Sequence, residues 1–97
     1  VVDKDKVWTF KDLKKIPLVL VTWQDITTTH NGWFDSVEDL KVASIKTPGW
    51  ILVEDEECVK MISTIGFMDN EAILGFDTII PTGCIKNITV LRKHWWK

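Results

Sequence analysis

Two apolar, β-rich runs lie almost end to end in this chain: "WILVE" at 50–54 and "CVKMISTIG" at 58–66. Only Asp55, Glu56 and Glu57 separate them. A connection that short forces the runs into an antiparallel hairpin, because a parallel pair needs a crossover of a dozen or more residues. The acids Glu54 to Glu57 therefore belong to the hairpin tip. Like charges in a run repel one another, and water is their cheapest surrounding. A calcium loop needs alternating ligands, a central Gly and a distal Glu, and that spacing is absent. A carboxylate pair for acid–base work needs two different environments, whereas neighbours on a wet turn share one. The tip reads as solvated rather than as a site.

The same logic extends in both directions. "EAILGFDTII" at 71–80 is a third run of this kind, joined to the second by "MDN", and Asp69 and Asn70 both tolerate positive φ. "PTG" at 81–83 supplies one turn of 3₁₀-helix, and "CIKNITVLR" at 84–92 reads as the last strand. Upstream, "LVLVTW" at 18–23 is the first strand; both of its faces are apolar, so either most of it is buried or one face meets the N-terminal segment. Before it, Thr9 and Asp12 have capping-box spacing for one or two helical turns ending by Pro17. Between the first strand and the hairpin lies an arm over 24–42, rich in turn formers. In it Asp35 or Ser36 can cap a short helix with Val37 and Leu40 on one face. "VASIKT" at 42–47 is a short strand or extended arm that Pro48-Gly49 is expected to break.

Five mostly antiparallel strands indicate an all-β barrel or sandwich. A strand, a long arm, two tight hairpins, a 3₁₀ turn and a final strand make the order of a small five-stranded SH3-like barrel. Its long first loop would carry the short helix. An OB-like barrel is the alternative, but it normally carries a helix between its third and fourth strands, where this chain has only "MDN". One domain of 97 residues is expected: an N-terminal extension (1–16), the barrel (17–92) and a basic aromatic tail (93–97). Val1 in place of Met is read as a processed or trimmed start.

Composition narrows the class. A net charge of −2 supplies no global field for nucleic acid or anionic lipid. No apolar run approaches the roughly 20 residues that span a bilayer, and "IPLVLVTW" lacks a signal-peptide pattern. A soluble intracellular protein is expected, with no membrane partner. Cys58 and Cys84 lack CxxC spacing and are expected to be reduced, buried thiols.

The motifs "VTWQD", "GWFDSVEDL", "TPGWILVEDEECVKMIST" and "IIPTGCIKNITVL", in that order, resemble a family of small uncharacterised phage and prophage proteins. The resemblance covers about 21–91. It implies an SH3-like fold and the cytoplasm of an infected host cell, and brings no activity or catalytic residue with it. The N-terminal residues 1–16 and the tail depart from the pattern.

Candidate sites follow from residue type. Trp23, Trp33 and Trp50 can converge in an SH3-like barrel as an aromatic patch for a peptide; the competing reading, which carries more weight, is that they pin the long arm. Six Trp and no Tyr fit a proline-reading groove poorly. Asp25 is read as a cap of the arm's first turn. His30 lacks partners for metal or base chemistry. Neither Cys has an adjacent base. In the tail, Trp95 and Trp96 are interleaved with Arg92, Lys93, His94 and Lys97 and could stack on bases and hold phosphates. They could instead pack on "VWTF" at 7–10 or meet a protein. The expectation is a non-enzymatic phage accessory module that binds a host or viral protein and can form homo-oligomers. It uses no cofactor and no metal. Binding of nucleic acid or a small nucleotide-like ligand, through the tail or a subunit-interface pocket, is the alternative.

Overall fold

In a computed structural model the described residues are 7–25, 43–69 and 71–96. Expectations for Trp33, His30, Asp35, Ser36, Asn70 and Lys97 fall outside them. One four-residue helix, α1 (Phe10–Leu13), precedes five strands: β1 (Leu18–Asp25), β2 (Ala43–Glu54), β3 (Cys58–Met68), β4 (Glu71–Pro81) and β5 (Ile85–Arg92). A 3₁₀ turn, Thr82–Cys84, joins the last two. The strands form one antiparallel sheet in the order β4-β3-β2-β1-β5. The fold is all-β. The sheet is not closed by hydrogen bonds: β4 and β5 are its two ends. To that extent a barrel overstates the arrangement.

α1 exists because its first turn is capped from both sides. The Asp12 amide donates to Thr9 Oγ1 (3.2 Å) and the Thr9 amide to Asp12 Oδ2 (3.1 Å). Pro17 then forbids continuation. The helix buries Leu13 completely.

The core follows strand alternation. Val19 and Val21 of β1, Val59 and Met61 of β3 and Ile80 of β4 form one buried cluster. Trp23, Ile51, Cys84 and Ile85 pack against it. Both cysteines are free and half-buried.

One expectation needs correction. β2 does not break at Pro48-Gly49 but runs through them, and there it changes partner. Ala43 to Gly49 pair with β1, and Trp50 to Glu54 pair with β3. A side chain at Gly49 would collide with the Ile62 carbonyl, so the residue marks close strand approach rather than a turn. Pro48 keeps its carbonyl satisfied by the Ser63 hydroxyl at 2.8 Å. Asp25 ends β1 opposite Ala43, and the turn it is read as capping lies outside the described residues.

The hairpin tip lies where expected, with residues 54–57 exposed. It is more ordered than a run of solvated acids requires. Asp55 Oδ1 accepts from the amides of Glu57 (2.8 Å) and Cys58 (2.9 Å), a side-chain mimic of a backbone turn. Those two amides, Cys58 first, hold its carboxyl below the ordinary range. The tip also grips the 3₁₀ turn: the Thr82 amide donates to the Glu57 carbonyl (2.9 Å) and the Thr82 hydroxyl to the Asp55 carbonyl (3.0 Å).

Candidate functional site

Trp23 and Trp50 lie on opposite faces of the sheet. Trp23 shares the core face with Val19 and Val21, and its indole N–H donates to Thr47 Oγ1 at 3.0 Å. Trp50 follows Gly49, the partner of Val19, and so alternates to the opposite face, where it pairs with Ile62. Trp23 therefore serves the core, and Trp50 serves a second, aromatic cluster.

That second cluster joins the two ends of the chain. Trp95 stacks edge-on against Trp50 at 4.9 Å between centroids and lies 6.2 Å from Phe10. Phe10 in turn meets Phe67 edge-on at 5.2 Å. The Trp95 indole donates to the Ile16 carbonyl at 2.8 Å. Trp96 sits against Trp95 and His94, with Lys14 Nζ 5.8 Å from its ring centroid. The tail thus packs on Phe10, the last residue of "VWTF", and on Trp50 and Ile16. This leaves Arg92, Lys93 and His94 exposed, while Trp95 and Trp96 are half-buried. Trp50 Nε1 is buried without an acceptor among the described residues, while the ring meets Trp95 edge-on.

Exposed apolar side chains also line the sheet's ends. β4 carries Ile73, Phe76 and Ile79, all more than half exposed. Phe76 is the extreme at 78%. By alternation it belongs with Leu74, Thr78 and Ile80 on the inward side, but its φ of +55° breaks the pleat and the ring stays in water. A bulky residue at positive φ is an outlier of a kind that clusters at functional positions. Sequence reasoning missed it. The available signal was Gly75 in the middle of a strand, a mark of local distortion. At the turn end of β4, Phe10, Phe67, Met68 and Asp69 line a shallow cleft of about 400 Å³. A second cleft, of about 500 Å³, opens between Ile16, Val19, Ile51 and Ile88, with Lys15 and Glu54 at its rim.

No group of three or more His, Cys, Asp or Glu side chains among the described residues is placed to hold a metal ion. No described helix is long and apolar enough to cross a membrane. Among the described residues the surface offers apolar side chains at the two end strands of the sheet.

Comparison with known proteins adds no relative. No family model, no curated protein and no solved structure matches the chain.

Proposed function

We propose that this chain is a non-enzymatic binding module, a phage accessory protein on an SH3-like sheet that docks a host or viral protein along edge strand β4. The observation that carries the reading is a sheet end that is open beyond Ala72 among the described residues, with Ile73, Phe76 and Ile79 exposed along it. An edge strand offers a row of backbone donors and acceptors, and natural proteins usually blunt such edges with Lys, Pro or a cover. β4 has no Lys, and its one Pro is the last residue, Pro81. A partner strand added there gains main-chain hydrogen bonds, and alternate side chains supply specificity. The strand order, with β5 beside β1 and a 3₁₀ turn before β5, supports the SH3-like reading over the OB-like one. Phage origin rests on the sequence resemblance. The nucleic-acid alternative is weakened by the packing of Trp95, which removes a stacking ring from the basic tail.

The test uses the immobilised full chain and lysate of infected cells. Capture of a specific protein should be lost in Phe76→Lys/Ile79→Lys, and hydrogen exchange of the complex should show new protection at 74–80. Equal capture by the parent and the variant would overturn the reading.

A further inference from the structure

The two ends of the sheet carry opposite charge. From Met61 to Ile85 the chain has Asp69, Glu71 and Asp77 and neither Lys nor Arg. From Thr78 to Lys97 it has Lys86, Arg92, Lys93 and Lys97 and neither Asp nor Glu. One edge strand, β4, is therefore acidic only, and the other, β5, is basic only. Glu71, Asp77, Lys86 and Arg92 are all exposed. Each edge also shows apolar side chains to water: Ile73, Phe76 and Ile79 on β4, and Ile88, Val90 and Leu91 on β5.

We propose that β4 of one copy pairs with β5 of a second copy, so that the strand docked on the acidic edge is the basic edge of this same chain. The inference rests on β4 being a docking edge and gives that edge a further occupant, a second copy of this chain. Three edge pairings between copies can be drawn. β4 on β4 sets Glu71 and Asp77 against their own kind, and β5 on β5 does the same with Lys86 and Arg92. Like charges across a strand pair are destabilising, and opposite charges are favourable. Only the cross pairing opposes acid to base, and it covers the apolar groups of both edges together. The Trp8 carbonyl already takes the Ala72 N–H at 3.3 Å, so the added ladder begins beyond Ala72, with Asp77 near its middle and Glu71 just outside its end, within diagonal reach of a long Lys or Arg side chain. Long Lys and Arg side chains reach diagonal neighbours, so the two irregularities in β5 at its pairing with β1 do not prevent the charge match. Such a contact joins different patches. Each added copy leaves one edge of each kind free, and the product is a ring or a short row rather than a closed two-fold dimer.

Sedimentation velocity over a concentration series tests this with the full chain and two charge-reversed variants, their folding checked by circular dichroism. The parent chain should associate, and more weakly as salt is raised. Glu71→Lys/Asp77→Lys makes both edges basic, and Lys86→Glu/Arg92→Glu makes both acidic. Each alone should associate at least about tenfold more weakly. An equimolar mixture of the two should recover the parent's association, because every edge again meets its opposite. A parent chain that stays a monomer throughout, or a reversed variant that associates like the parent, overturns the proposal. If the parent is a monomer and yet Phe76→Lys/Ile79→Lys still loses a captured protein, self-pairing alone is wrong and the docking edge stands. If that variant also captures normally, both readings fall.

Discussion

The indole of Trp95 donates to the backbone carbonyl of Ile16 across 2.8 Å, which fastens the end of the described chain to the segment entering β1. The same ring lies against Trp50, so one side chain closes a cluster drawn from both ends and from the middle of the sheet. A chain ending at Lys93 should keep its sheet, since the strands are complete by Arg92, and should melt at a lower temperature. Trp95→Phe keeps a ring but loses the hydrogen bond, worth about 0.5–1.5 kcal/mol. Thermal melts of the three chains check the order: parent highest, Trp95→Phe between, shortened chain lowest.

The hairpin tip gives a pH-dependent outcome. Asp55 has its carboxyl held below the ordinary value by the amides of Cys58 and Glu57. A depressed carboxyl contributes stability that is fully present above its unfolded value, 3.8, and is lost as pH falls through the lower folded value. Carboxyl-detected titration should place Asp55 below the ordinary value for an aspartate. Asp55→Ala should lower the melting temperature at pH 7 and flatten its dependence on acid. Glu56→Gln/Glu57→Gln should change stability by under about 0.5 kcal/mol and should leave calorimetry with Ca²⁺, Mg²⁺ and Mn²⁺ without a saturable signal.

Gly49 should not tolerate a side chain. The added methyl would strike the Ile62 carbonyl where β2 passes from β1 to β3. Gly49→Ala should cost about 1–3 kcal/mol in denaturant unfolding, the usual range for forcing extra volume into a closed space.

Phe76 should behave in the opposite way. Its ring is mostly in water and its backbone sits at a φ that glycine adopts freely. Phe76→Gly should leave stability unchanged or raise it by about 1 kcal/mol, because the left-handed conformation costs an L-residue roughly 1–2 kcal/mol. The same change should weaken docking on β4. A drop in melting temperature would show that the ring supports the fold.

What the sequence disclosed was local. The hairpin at Asp55–Glu57 was legible because three residues leave the backbone one way to return. The cap of α1 was legible because Thr9 and Asp12 satisfy each other within one turn. Features set by distant neighbours were not. Pro48-Gly49 has the composition of a break, and only the exchange of partners from β1 to β3 makes it the middle of a strand. Trp23 and Trp50 have the same residue type and similar surroundings in sequence, yet alternation and register send them to opposite faces. The outward turn of Phe76 depends on a single dihedral angle that periodicity does not encode.

The placement of β1 between β2 and β5 has a kinetic consequence. β2, β3 and β4 are successive strands, and the β2–β3 and β3–β4 connections are short, so those pairings close at little entropic cost. Leu18, by contrast, pairs with Arg92, and nearly the whole described chain must be drawn into a loop before that contact rewards it. Refolding should therefore start in the β2–β3–β4 meander and finish by seating β5. Substitutions at the Asp55 tip would then slow folding. Those at Trp95 would mainly hasten unfolding, so the aromatic cluster acts as a latch on the lifetime of the native state.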